Sequence, residues 1–215
     1  LIDIKGEIGD NNLASADNFS KSLDKAYKAQ NLKAVVLRIN SPGGSPVQAD
    51  YMFNSLSYYQ KKHPEIKVYA VCVDSCVSAA YYVAAAAQEI YANPSSMVGS
   101  IGVIYSGFGF DHIMDKLGVS RRMYTAGKYK GLLDPFSPEV PEQKVFLERM
   151  LNQIHTQFIN KVKLGRGSRL KIDEETFTGL PWTGIDGKER GLIDGFASSG
   201  ELLREKINLE DVMDY

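Results

Sequence analysis

The residues able to do chemistry lie in short segments. Ser78 follows the apolar run Ile66 to Val73 and opens the alanine-rich stretch Ser78 to Gln88. A serine at a helix start sits where unpaired backbone N–H groups and the positive end of the helix dipole can stabilise a developing oxyanion. The same position suits an ordinary helix N-cap. Upstream, Asn40-Ser41-Pro42-Gly43-Gly44-Ser45 ends another β-branched run, and its glycine pair allows a sharp turn with free N–H donors. The segment serves equally as a plain turn. It lacks the Lys-Ser/Thr ending of a P-loop, which disfavours nucleotide binding.

A nucleophilic serine needs a base. The histidines are His63, before Pro64 in a polar loop; His155, inside a long helical pattern; and His112, which follows Asp111 and leaves a Ser-His-Asp arrangement open. The alternative is a lysine in Thr125-Ala126-Gly127-Lys128-Tyr129-Lys130-Gly131. An amine serves as a base near neutral pH when burial or neighbouring positive charge lowers its pKa. The residues alone do not separate Lys130 from Lys128.

The elements around these segments alternate. Leu1 to Lys5 reads as a strand. Ala14 to Gln30 reads as a helix with apolar positions at Ala16, Phe19, Leu23 and Tyr27, and Ala34 to Ile39 as a buried strand. A helix over Val47 to Lys62, a strand over Ile66 to Val73 and a helix over Ser78 to Gln88 follow. Glu89 to Ala92, Met97 to Tyr105 and Arg121 to Thr125 read as strands, and Phe110 to Leu117 as a helix. After Pro138, Phe146, Met150, Ile154, Phe158 and Val162 recur at helical spacing as a core-facing or partner-facing stripe. The pattern predicts an α/β fold with a parallel sheet, in one domain over 1–215 that turns helix-rich from about 138.

Composition removes several function classes. A net charge of -1 with 24% charged residues gives no basic stripe for nucleic acid and no acidic tail. Cys72 and Cys76 lie in an apolar stretch and read as buried thiols, and no Cys or His pattern has metal-ligand spacing. No segment reaches the ~18 consecutive apolar residues of a membrane span, and no signal peptide is visible. A chain opening on Leu1 is expected to be a processed or excised piece, with any membrane anchor in a preceding segment.

Taken together, these motifs resemble peptidase family S49, the signal peptide peptidase A family, whose fold belongs to the ClpP/crotonase group of repeated ββα units. Asn40 to Ser45 resembles the oxyanion loop, which implies backbone roles for Gly43 and Gly44. Asp74-Ser75-Cys76-Val77-Ser78-Ala79-Ala80-Tyr81-Tyr82 resembles the nucleophile segment, with Ser78 on the nucleophile and Ala79-Ala80 where the family usually has Gly-Gly. Ala92 to Gly102 resembles the motif whose serine, here Ser100, hydrogen-bonds the catalytic lysine. Gly127 to Phe136 resembles the lysine motif and selects Lys130. Trp182-Thr183-Gly184 and Gly191-Leu192-Ile193-Asp194 resemble a C-terminal signature.

The resemblance implies a serine endopeptidase with a Ser78/Lys130 dyad, Ser100 holding the amine, and an oxyanion bound by the N–H groups of Gly44 and Ala79. It implies no cofactor or metal. Its implied substrates are cleaved signal peptides and other membrane-derived or unfolded peptides, and its implied assembly is a homo-oligomer. It places the domain at the bacterial cytoplasmic (inner) membrane, on the extracytoplasmic side. The rival expectations are a ClpP-like Ser-His-Asp peptidase using His112, a crotonase-type acyl-CoA enzyme and a non-catalytic scaffold. The Ala79-Ala80 departure raises the last, because an added methyl excludes a backbone at φ > 0.

Overall fold

The computed structural model describes residues 1–209 and 212–215 and falls into two compact units. The first comprises Leu1–Gly102 and Thr156–Tyr215; the second is Val103–His155.

The first unit holds the whole sheet. Strands β1 (Ile2–Lys5), β2 (Ala34–Ser41), β3 (Lys67–Val77), β4 (Glu89–Ala92) and β7 (Gly195–Phe196) lie in the order β1-β2-β3-β4-β7, every pair parallel. The alternation of side chains along these strands divides the core. Val35, Leu37 and Ile39 of β2 and Val68, Ala70 and Cys72 of β3 face α1 (Ala16–Lys28), α2 (Pro46–Lys62) and α3 (Ala79–Ala84) in one large apolar cluster. Val36, Tyr69 and Val71 face the other way and meet Leu202 and Leu203 of a C-terminal helical turn. An α/β architecture with a parallel sheet covered on both faces is thus present, as the sequence predicts. Cys72 and Cys76 are free and buried, and burial, with Cys72 beside it, pushes the Cys76 thiol well up.

Several elements differ from their sequence-based limits, each for a local reason. Strand β3 runs to Val77, four residues past the apolar run. Its first half pairs with β2 and β4, and its end, Ser75–Val77, pairs with β5 (Met97–Gly99). β5 stops at Gly99 where a strand to Tyr105 is predicted, because Gly99 at φ 84° and Ser100 at φ 51° turn the chain out of extended geometry. The alanine-rich helix ends at Ala84 because tightened turns at Ala86 and Ala87 return the chain to β4. There Gln88 N–H donates to the Val68 carbonyl at 3.0 Å. β6 (Pro181–Thr183) pairs antiparallel with β5 and leads into α6 (Gly184–Glu189).

The second unit contains α4 (Asp111–Lys116) and the beginning of α5 (Pro141–Arg166), which ends in the first unit. Arg121 to Thr125 is not a strand, since the described residues of this unit include no other strand for it to pair with. A stack of Phe110 on Phe136 (centroids 5.6 Å apart) and an Arg121–Asp134 ion pair at 3.4 Å organise the loops. None of residues 103–155 is fully buried.

α5 carries one strongly held charge. Arg166, 1% exposed, gives Asp194 two hydrogen bonds of 2.9 Å and donates its Nε–H to the Gly191 carbonyl. Burial alone would raise the Asp194 pKa. The hydrogen bonds from Arg166 and from the Ile90 N–H outweigh it and hold the carboxyl below its usual range.

Candidate active site

Ser78 sits where β3 becomes α3. Its backbone is at φ 54°, ψ -128°, a region that favours glycine, and its side chain makes no capping hydrogen bond to the helix. This sets aside the plain N-cap, which requires extended backbone and a hydroxyl accepting from the first turn. The Ser78 N–H donates to the Gly99 carbonyl at 2.8 Å, and the Ser78 carbonyl accepts the first helical bond, from Tyr82. Every residue of α3 is buried. The nucleophile candidate is therefore fixed by sheet on one side and core helix on the other, with its hydroxyl left for other work.

The Gly43-Gly44 loop lies against it. A Cβ on Gly43 would fall 2.8 Å from Ser78 Cβ and 3.0 Å from both the Ala79 nitrogen and the Val77 carbonyl oxygen, and Gly43 has φ 102°. A Cβ on Gly44, at φ 141°, would fall 2.1 Å from the Ile8 carbonyl oxygen. Ile8 holds the loop in place: its N–H donates to the Gly43 carbonyl and its own carbonyl accepts from Ser45 N–H, both at 2.8 Å. The Gly43 N–H donates to buried Ser41 Oγ at 3.1 Å, so Gly43 contributes close approach and is not a free donor. The N–H groups of Gly44 and Ala79 have no acceptor among the described residues. Both adjoin helix N-termini, where negative charge is favoured. Neither Ala79 nor Ala80 has positive φ, so the extra methyls in place of Gly-Gly impose no backbone strain and leave the Ala79 N–H available.

Gly43→Ala tests this arrangement. The added methyl must displace Ser78 and Ala79, and loss of one oxyanion donor typically costs on the order of 10²-fold or more in turnover. We expect peptide-hydrolysis kcat to fall by about that factor; wild-type kcat in this variant would contradict the role of the loop.

Ser100 lies on the turn after β5. Its Oγ donates to the Gly179 carbonyl at 3.0 Å, and its N–H donates to the Leu180 carbonyl at 3.0 Å. With its proton so committed, the oxygen keeps lone pairs to accept from an amine. Ser78, Ser100, Gly43, Gly44 and Ala79 all belong to the first unit.

Lys130 belongs to the second unit. It lies in the turn after Gly127 and is exposed, and its N–H donates to the Gly127 carbonyl at 3.1 Å. Lys128 places its ammonium 5.1 Å over the Tyr129 ring, whereas Lys130 makes no ion pair among the described residues. His112 is 91% exposed, and the nitrogen it turns toward Asp111, at 3.8 Å, is Nε2, the one a Ser-His-Asp arrangement needs for the serine. His63 packs on Tyr27 and Tyr59. No group of three or more His, Cys, Asp or Glu among the described residues could hold a metal.

Sequence reasoning about chemistry gave no task to Trp182 or Arg190, which lie beside this site. The indole touches Gly99, and the guanidinium stacks 3.6 Å from the ring centroid. The signal for Trp182 was its place in the C-terminal signature; no pattern pointed to Arg190.

Comparison with known proteins places these features in context. The profile described as "Peptidase family S49" matches residues 60–213. A Brucella abortus protein named Na(+)/H(+) antiporter NhaA is 42% identical over 183 residues, covering 85% of this chain and 25% of that protein. A Methanocaldococcus jannaschii protein with a provisional protease name is 33% identical over 190 residues, covering 88% of this chain and 60% of that protein. The protein named Serine protease SPPA, chloroplastic, of Arabidopsis thaliana is 30% identical over 198 residues, covering 90% of this chain and 29% of that protein. The chain thus spans between a quarter and three-fifths of the length of these curated relatives.

Proposed function

The chain belongs to peptidase family S49, and from that premise we propose that it is a serine endopeptidase in which Ser78 is the nucleophile and Lys130 the general base. The observation that carries this reading is the Ser78 backbone at φ 54°, held against Gly43 with a hydroxyl that caps nothing.

In the proposed reaction the Lys130 amine, as general base, takes the Ser78 Oγ proton as Oγ bonds to the substrate carbonyl carbon. Ser100 Oγ accepts a hydrogen bond from that amine. The carbonyl oxygen becomes an oxyanion and receives the Gly44 and Ala79 N–H groups. The lysine ammonium then protonates the leaving nitrogen as the C–N bond breaks. Water, deprotonated by the regenerated amine, attacks the acyl-enzyme carbonyl; the Ser78 Oγ–C bond then breaks, and the ammonium returns its proton to Oγ as the acid leaves. No metal or organic cofactor enters the sequence.

The substrates proposed are cleaved signal peptides and other membrane-derived or unfolded peptides, in keeping with the family and with the relative named as a serine protease SPPA. The proposed setting is the extracytoplasmic side of a bacterial cytoplasmic membrane, with anchorage outside this chain. Among the described residues no helix is long and apolar enough to cross a membrane. We also propose a homo-oligomer, supported by the apolar side chains that 103–155 leave exposed, Ile104, Phe108, Leu117, Tyr124 and Val145 among them. The antiporter name belongs to a protein of which this chain matches only a quarter, and antiport is not proposed. The helical backbone of Ala79 and Ala80 removes the main reason for preferring a non-catalytic scaffold.

The test is intact-protein and peptide mass spectrometry after incubation with a serine-directed fluorophosphonate. The expected result is one adduct, on Ser78, in the native chain and little or none in Lys130→Ala. An unmodified Ser78 in the assembled native protein would overturn the assignment.

A further inference from the structure

We propose that Trp182 and Arg190 form a positioning stack that acts through Gly99 to hold the Ser78 backbone in its reactive conformation. This inference rests on Ser78 being the nucleophile.

The argument begins at Gly99. Its carbonyl is the acceptor for the Ser78 N–H, at 2.8 Å, so displacement of Gly99 displaces the nucleophile. Gly99 is at φ 84°, and a Cβ there would fall 2.9 Å from Trp182 Cδ1 and 3.6 Å from Nε1. The indole therefore fills the space a side chain at 99 would need. β6 also pairs residue by residue with β5, Trp182 opposite Val98 and Pro181 opposite Gly99. The residues before it, Gly179 and Leu180, accept both hydrogen bonds that Ser100 donates. The segment 179–183 thus grips the Gly99–Ser100 turn from the side chain and from the backbone.

The indole is in turn held by Arg190, whose guanidinium carbon lies 3.6 Å from the ring centroid. Stacking at that distance combines cation–π attraction with planar packing. Arg190 is itself fixed by ion pairs to Asp173 and to Glu175, the latter at 2.9 Å. The buried Thr176 hydroxyl donates to Asp173 at 2.6 Å. This bond and the Arg190 pair bring the Asp173 carboxyl down to about 2, so Asp173 stays ionised at any ordinary assay pH.

The Trp182 Nε1–H is buried and has no acceptor among the described residues. Its indole therefore works by shape and π face. A left-handed serine persists only where its surroundings over-determine it, and this stack is one of those surroundings. Neither Trp182 nor Arg190 need touch substrate, so they are positioning residues and not catalytic ones.

The chain has a single tryptophan, so its tryptophan emission, excited selectively over tyrosine, reports on this stack alone. The experiment measures the second-order rate of fluorophosphonate labelling at Ser78 for the native protein, Arg190→Ala, Arg190→Lys and Trp182→Phe, with thermal melts to confirm folding. Tryptophan emission is recorded before and after labelling. We expect Arg190→Ala and Trp182→Phe to label about tenfold more slowly while folded, the scale set by small misplacement of a reacting group. Arg190→Lys, which keeps the charge but loses the planar stack, should recover only part of the rate, and labelling of the native protein should shift its tryptophan emission. Labelling of folded Arg190→Ala at the native rate would overturn the inference and leave the nucleophile standing. Should Arg190→Ala not fold, a native-rate Trp182→Phe or an unchanged emission on labelling overturns it equally. A native protein that takes no label loses the nucleophile assignment, and this inference with it.

Discussion

Ser78→Ala, Lys130→Ala and the double variant should be equally inactive, each losing roughly 10⁴-fold or more in kcat with KM nearly unchanged. Residues that act as one unit are strongly non-additive, because removing either leaves the other without a task. The methyl of alanine at 78 removes the attacking oxygen and leaves the Gly99 and Tyr82 backbone bonds intact, so the fold should survive. Lys130 is exposed and makes no ion pair among the described residues, so its loss should cost less than about 0.5 kcal/mol of stability. The measurement is steady-state hydrolysis of a fluorogenic peptide alongside a thermal melt. A Lys130→Ala variant with kcat within tenfold of wild type would transfer the base role elsewhere, and His112→Ala would be the next variant to assay.

The second large effect concerns the frame. Arg166→Met should destabilise the protein by about 3–5 kcal/mol, the usual consequence of removing one partner of a buried ion pair. The cause is specific: Asp194 would keep its charge at a half-buried position with only the longer Arg169 contact, 3.4 Å, to offset it, and the Gly191 carbonyl would lose its donor. For a chain of this length each kcal/mol corresponds to about 2–4 °C in Tm, so a fall of about 10 °C is expected. Adding Asp194→Asn removes the under-compensated charge and keeps an acceptor for the Ile90 N–H. The double variant should therefore regain a good part of the loss. A single variant that melts within 2 °C of wild type would show that the pair is dispensable.

Much of the frame was legible because its physics is local. The β-branched run at 34–39 and the helix expected from Val47 announce β2 and α2 to within two residues, and the structure adds the cap, Ser45 accepting from the Gln48 N–H. The candidate nucleophile was legible as a position, but its two readings, cap or nucleophile, were separable only by backbone angles that no residue type reveals. The strand ends were hidden because pairing decides them. β3 continues through Asp74 and Ser75, polar residues that β5 and the Asn40 side chain hold in place. Arg121 to Thr125 has strand-like composition and no strand to pair with among the described residues.

The long stripe on α5 illustrates the same limit. Phe158 and Val162 are buried at 4% and 0%, while Phe146 and Met150, on the same stripe, are 40% and 41% exposed. One periodic pattern crosses two units, and periodicity carries no information about where a unit ends. Arg190 was hidden for another reason. A stacked arginine looks in sequence like any surface cation, and only the indole 3.6 Å away distinguishes it.

Ser78 and Ser100 share a backbone feature whose meaning is energetic. Both lie at positive φ, 54° and 51°, where glycine would sit more comfortably than serine. At Ser100 the hydroxyl has a structural task as well, the hydrogen bond to the Gly179 carbonyl, which glycine could not make. At Ser78 no such bond caps the helix, so the fold itself gains nothing from the hydroxyl there. Ser78→Gly is therefore the substitution in which stability and the proposed chemistry should part company, the first kept or raised and the second lost.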